Sequence, residues 1–70
     1  MLLVVRFCKD WSNPKFVDMM QKRSCANHSI KAFKKRDLRN DDEYHYRIYK
    51  NIWRSEKHFI KEYEKGNILR

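Results

Sequence analysis

The segment from Lys22 to Arg39 concentrates most of the positive charge of this chain. It contains seven Lys and Arg residues and one acid, so its local charge is about +6, against +8 for the whole chain. Ile30, Phe33 and Leu38 alternate with these cations at helical spacing, which is typical of an ordered amphipathic helix. Because crowded like charges must stay at the surface and attract a polyanion, the segment predicts a nucleic-acid-binding face.

Length and composition leave little room for a core. The 70 residues allow a single domain, residues 1–70, and a chain of this size buries only about 60% of its unfolded surface. With 37% charged residues and a mean hydropathy of −0.99, the chain is expected to be non-globular and to gain order from a partner. Its two cysteines are too few for a disulfide framework, so a reducing compartment is expected.

The N-terminal segment predicts one short strand. Residues from Leu2 to Phe7 are mostly β-formers, but the apolar run is too short for a signal-peptide core or a membrane span. No second strand is indicated, so this strand is expected to lie along another protein. Residues 1–12 are therefore predicted to form an extended arm.

Residues 13–39 predict a pair of short basic helices. Pro14 suits a first helical turn and opens a helix that ends near Ala26. The polar residues 27–29 break this helix and cap a second one, from Ile30 to Leu38.

Residues 40–66 predict one long helix. Asn40 and Glu43 have the spacing of a capping box, and Gly66 after Lys65 is typical of a helix stop. Such a helix would run roughly 37 Å, longer than a compact chain of this size is wide. The predicted fold is therefore mainly α: a short extended N-terminal strand, two short helices and one long C-terminal helix.

The predicted site is a phosphate-binding surface with one stacking residue. Arginines would donate forked hydrogen bonds to phosphates, and lysines would act as point charges. Trp53, beside Arg54, lies off the apolar stripe of the long helix and is expected to stack on an unpaired base. The alternative interpretation is a solvated face that only keeps the protein soluble. The predicted RNA-binding residues are Lys22, Arg23, Lys31, Lys34, Lys35, Arg36, Arg39, Trp53 and Arg54.

Neither metal chemistry nor catalysis is predicted. Cys25 and His28 have the spacing of half a zinc site, but no second pair is specified. A Cys–His nucleophile would need an orienting third group, and none is indicated. We therefore expect no cofactor, no small-molecule substrate and no enzyme activity.

Four segments, in this order, carry a resemblance to a known family: Val4–Phe7, Pro14–Met20, Lys22–Cys25 and Lys34–Leu38. They give a short extended start, a proline-opened segment, a Lys-Arg-Ser-Cys sequence, and three basic residues followed by an acid and a large apolar residue. This pattern resembles the bacterial-type small-subunit ribosomal protein twenty-one family, whose short length the chain shares.

The resemblance implies a structural constituent of the small ribosomal subunit that supports translation initiation. It implies that Arg23, Lys34, Lys35 and Arg36 hold phosphates of small-subunit rRNA near the platform. Neighbouring platform ribosomal proteins would be the other partners, with no membrane involved. The implied location is the ribosome, in a mitochondrion or a bacterial-type cytoplasm.

Two alternatives from other classes are open. One is a small helix-turn-helix DNA-binding regulator that uses the last helix for recognition. Against it, the basic residues concentrate in the middle helix, whereas the predicted long helix has nearly balanced charge. The other is a phage-type inhibitor that binds a host protein through the aromatic stripe of the long helix.

Overall fold

A three-stranded antiparallel sheet organises the protein, for which a computed structural model describes residues 1–69. The middle strand pairs antiparallel with both neighbours, so the strand order is β2-β1-β3. The elements are β1 (Leu2–Cys8), β2 (Lys15–Met20), α1 (Arg23–Arg39), β3 (Tyr44–Lys50) and α2 (Glu56–Glu64).

Both faces of the central strand β1 are covered. Successive side chains of a strand point to opposite faces of the sheet. Val4 points to the face covered by α1, where it packs with Ala26 and Tyr46. On the other face, β1 packs against Phe59 of α2. The sheet therefore lies between the two helices, and Leu3, Val4, Val5 and Phe7 of β1 are fully buried between them.

The layer beneath α2 is the larger of the two apolar clusters. Its fully buried residues are Leu3, Val5, Phe7 and Phe59, and partly buried Trp11, Phe16, Tyr49, Trp53, Tyr63 and Ile68 pack around them. Most of the chain's aromatic rings are therefore used for packing on this face.

The prediction of a mainly α, non-globular fold is wrong. The chain is a compact α/β domain, and its radius of gyration of 12.0 Å is close to the roughly 11 Å expected for a folded chain of this length. No helix within residues 1–69 is both long and apolar enough to cross a membrane.

The predicted extended arm and basic helical pair are instead a hairpin followed by one helix. Pro14 precedes β2, which pairs with β1 within the same chain, so the N-terminal strand needs no partner protein. The expected break at residues 27–29 lies inside α1, which runs unbroken from Arg23 to Arg39. Weak helix formers such as Asn and Ser lower helix propensity only slightly, and packing on the sheet outweighs that loss.

The predicted long helix is also wrong, since residues 40–66 form a loop, β3 and α2. Asp41 ends α1 instead of opening a helix: it adopts a left-handed φ of 59°, and Asp42 N–H donates to Asp37 C=O at 2.8 Å. Residues of β3 pack into both apolar clusters: Tyr46 packs on the α1 side of the sheet and Tyr49 on the α2 side. The helix stop expected at Gly66 does follow α2, with a φ of 81°.

Truncating the core beneath α2 tests this architecture. We expect Phe59→Ala to lower the free energy of unfolding by about 3–5 kcal/mol, because the ring is fully buried. Leu38→Ala is the control: that side chain is 82% exposed, so its truncation should change stability by less than about 0.5 kcal/mol.

Urea unfolding followed by circular dichroism measures both variants, and the milder Phe59→Leu keeps the comparison measurable if Phe59→Ala does not fold. Equal effects at the two positions would contradict the three-layer packing.

Candidate nucleic-acid interface

Helix α1 brings the predicted basic residues onto one element. Six of the seven lie within α1, and the seventh, Lys22, is its N-cap residue. All seven side chains are exposed, although Trp53 and Arg54 lie elsewhere. The structure therefore gathers seven of the nine predicted RNA-binding residues on one helix and its N-cap.

The outer face of α1 carries one continuous exposed stripe. Its members recur at intervals of three or four residues, which align along one side of a helix. We call them the outer stripe: Ser24, His28, Lys31, Lys35 and Arg39, all exposed. At 17 residues, α1 is about 25 Å long, so the stripe spans most of that length.

Two further cations flank the outer stripe. Lys34 and Arg36 precede and follow Lys35, so each lies about 100° around the helix from it, on opposite sides. Both are exposed, and the guanidinium of Arg36 lies 5.2 Å from the ring centroid of Phe33. We call the outward-facing line of α1 its crest and the two flanks beside it its shoulders. Positive charge therefore covers the crest and both shoulders.

The cations of α1 take part in no ion pair within residues 1–69. The two ion pairs there join Lys9 to Glu43, at 3.1 Å, and His58 to Glu62, at 3.7 Å. The only acid of α1, Asp37, is buried on the inner side of the helix. The positive charge of the outer face is therefore not neutralised by ion pairs within the described residues.

The two ends of α1 differ in electrostatics. No acid lies in its first turn and no side chain caps it, so the positive end of the helix dipole adds to the charge of Arg23. At the other end, the exposed acids Asp41, Asp42 and Glu43 follow the helix. These acids set the limit of the positively charged surface.

Polar contacts hold the inner side of α1 on the sheet. The hydroxyl of Tyr46 donates a hydrogen bond to the Asp37 carboxylate, and the ring of Phe33 stacks on the Tyr46 ring at 5.7 Å. Ser29 donates to Asp18 of β2 at 2.7 Å. Burial, together with the nearby Asp37 carboxylate, raises the pKa of Tyr46 above its ordinary value of 10.0. These contacts orient α1 so that its cations face solvent.

Trp53 and Arg54 do not join this surface. The Trp53 ring packs against Phe59 and Tyr49, with centroids at 4.7 and 5.9 Å, in the layer beneath α2. Arg54 is exposed, and its backbone N–H donates to Nδ1 of His58 at 3.2 Å. Because α2 and α1 cover opposite faces of the sheet, the predicted stacking residue lies across the molecule from the basic residues.

Sequence reasoning missed Ser24 and His28 as members of the outer stripe. The polar residues 27–29 favour a helix break, but the spacing of His28 from Lys31 and Lys35 fits one continuous helix. It also missed the contact of Asp37 with Tyr46. Cys25 is exposed on α1, and residues 1–69 contain no cluster of three or more side chains suited to bind a metal.

A broad surface depression lies on the same helix. It has a volume of about 610 Å³ and is lined by α1 alone, through His28, Lys31, Ala32, Lys34, Lys35 and Leu38. One helix cannot enclose a ligand, so this is an open surface between long side chains. Its shape suits a large partner better than a small molecule.

Fold and site together define a small α/β domain with a cationic helix on one face of an antiparallel sheet, and the cations of that helix form no ion pair within residues 1–69. Comparisons with models of protein families, with curated proteins and with solved structures find no match to this chain.

The contact between Tyr46 and Asp37 is testable through stability. Tyr46→Phe leaves the buried carboxylate without this donor, so we expect a loss of about 1–3 kcal/mol in the free energy of unfolding. Tyr44→Phe, on the same strand and only half-buried, is the matched control and should change stability by less than about 0.5 kcal/mol.

The pH dependence of the same contact has a defined sign. Because folding raises the pKa of Tyr46, its contribution is complete below the ordinary value of 10.0 and is lost as pH rises beyond it. Urea unfolding at about pH 8 and about pH 11 should show an alkaline loss of stability that is smaller in Tyr46→Phe. An equal loss in both proteins would contradict this account.

Proposed function

We propose that this protein binds nucleic acid through phosphate contacts made by α1. The observation that carries the proposal is the set of seven exposed cations on or next to α1, none of which forms an ion pair within residues 1–69. A polyanion would neutralise this charge, and the release of its condensed counterions would drive association.

The other helix provides a contrast within the same molecule. α2 and its C-cap carry Lys57, Lys61 and Lys65, interspersed with Glu56, Glu62 and Glu64. Its charge is therefore nearly balanced, and its apolar side is occupied by the sheet. These features favour α1, and not α2, as the binding element.

The ribosomal assignment stays a prediction. The sequence resemblance names small-subunit rRNA as the ligand and platform ribosomal proteins as neighbours, and α1 offers the charge that rRNA phosphates require. The helical architecture that accompanied this prediction is not the one observed. Co-sedimentation of the protein with small ribosomal subunits would support the assignment, and its absence from that fraction would remove it.

The fold bears on both alternative functions. A helix-turn-helix is not present in the described residues, because the two described helices lie on opposite faces of the sheet. The objection to DNA binding was that the longest helix has nearly balanced charge. It no longer applies, because α1 is the longer described helix and carries the cations. The proposed inhibitor surface is used for folding: Phe59 is fully buried and Tyr63 is half-buried.

Neutralising the outer stripe tests the proposal. We expect the wild-type protein to bind RNA or DNA with a log–log salt slope of about −3 to −6, for five to seven phosphates contacted. The triple variant Lys31→Gln, Lys35→Gln and Arg39→Gln should reduce the size of that slope by about 2 to 3, because three phosphate contacts are lost. Fluorescence anisotropy at several salt concentrations measures the slope.

A triple variant on α2 is the matched control. Lys57→Gln, Lys61→Gln and Lys65→Gln removes the same charge from the opposite side of the sheet, and all three side chains are exposed. Its salt slope should stay within about one unit of the wild-type slope. If both triple variants weaken binding equally, binding depends on net charge alone and α1 is not the specific contact surface. A wild-type salt slope near zero rejects phosphate binding itself.

A further inference from the structure

The described rings on the α1 side of the sheet are all engaged in packing contacts. Phe33 is covered by the Arg36 guanidinium and by Tyr46, which is itself 5% exposed. Tyr44 lies under the guanidinium of Arg6, at 4.3 Å. Proteins that bind single strands commonly stack unpaired bases on exposed aromatic rings. The surroundings of α1 therefore disfavour a single-stranded ligand.

The distribution of charge around α1 fits a groove better than a flat surface. A flat polyanion would touch only the crest of the helix, where Lys35 lies. Lys34 and Arg36 point to opposite sides of that crest, where the two phosphate walls of a groove would lie. A ligand that surrounds the helix on both sides would use all three charges.

The N-terminal half of the outer stripe carries shorter polar side chains. Ser24 and His28 are exposed there, and Asn27 lies beside them. These side chains have hydrogen-bond donors and acceptors suited to base edges, whereas the cations Lys31, Lys35 and Arg39 follow in the C-terminal half. The helix therefore combines a segment able to approach bases with a segment that binds phosphates.

Groove dimensions distinguish the two kinds of duplex. The major groove of B-form DNA is about 12 Å wide and admits an α-helix, whereas the major groove of A-form RNA is too narrow for side chains to read. An exposed helix such as α1 therefore fits the major groove of duplex DNA better than that of duplex RNA.

We infer that α1 binds in the major groove of duplex DNA, with Lys34 and Arg36 on opposite phosphate walls and Ser24 and His28 towards the bases. This inference rests on the proposed function, because it specifies the nucleic acid that the same face of α1 takes.

Binding to four matched probes tests the inference. Fluorescence anisotropy at one salt concentration compares a duplex DNA of about 20 base pairs, each of its single strands, and the duplex RNA of the same sequence. We expect duplex DNA to bind at least about tenfold more tightly than the other probes, because only its major groove admits the helix. Equal or tighter binding of a single strand or of duplex RNA rejects the groove inference and leaves the proposed function standing. Binding to none of the probes rejects both.

Blocking one groove at a time identifies the surface of the duplex that is used. Replacing cytosine by glucosylated hydroxymethylcytosine keeps every phosphate but fills the major groove, so affinity should fall about tenfold or more. Netropsin, which occupies the minor groove, should leave binding unchanged. The opposite pattern, with netropsin competing and the modified duplex binding normally, would overturn the inference.

Single variants on the two shoulders of the helix complete the test. Lys34→Gln and Arg36→Gln should each lower the size of the salt slope by about 1, because each removes one wall contact. Lys57→Gln on α2 is the matched control and should not change the slope. A loss at only one of the two shoulders would contradict binding between two walls.

Discussion

Burial of β1 on both of its faces is the constraint on which the rest of the structure depends. A short strand with Leu3, Val4, Val5 and Phe7 fully buried needs cover above and below, and two helices supply it. Because α1 covers one face, its inner side is mostly apolar and its outer side is free to carry charge. The architecture therefore sorts the chain into an aromatic layer under α2 and a cationic surface on α1.

The cations of α1 face solvent because contacts with the sheet hold the helix in one orientation. Asp37 and Tyr46 place a polar contact at the inner side of the helix, and Ser29 bonds to Asp18 of the neighbouring strand. These contacts oppose rotation of α1 about its axis, which would turn the cations towards the sheet. The exposed cations therefore repel one another in the free protein, and a phosphate backbone would relieve that repulsion.

The sequence predicts the charged surface well and the fold poorly, for physical reasons that particular residues show. The predicted strand from Leu2 to Phe7 agrees with β1, because its β-formers are contiguous. The Asn40–Glu43 segment predicts a helix start but instead follows a helix end, because Asp and Asn suit both ends of a helix. Asp41 adopts a left-handed conformation there and closes α1. The alternating pattern of β3 was readable as a strand, but the same residues also fit a helical stripe. Pairing with β1 decides between strand and helix for these residues. This pairing is a tertiary contact that a local sequence pattern does not reveal.

An NMR titration tests the central claim most directly, because it locates the contact surface without changing a residue. Backbone amide shifts of the ¹⁵N-labelled protein would be followed as duplex DNA is added. The account predicts that the largest changes lie on α1, at Ser24, His28, Lys31, Lys35 and Arg39, and that amides of α2 and Trp53 change little. Largest changes at Trp53, Arg54 and α2, or no changes at all, would contradict it.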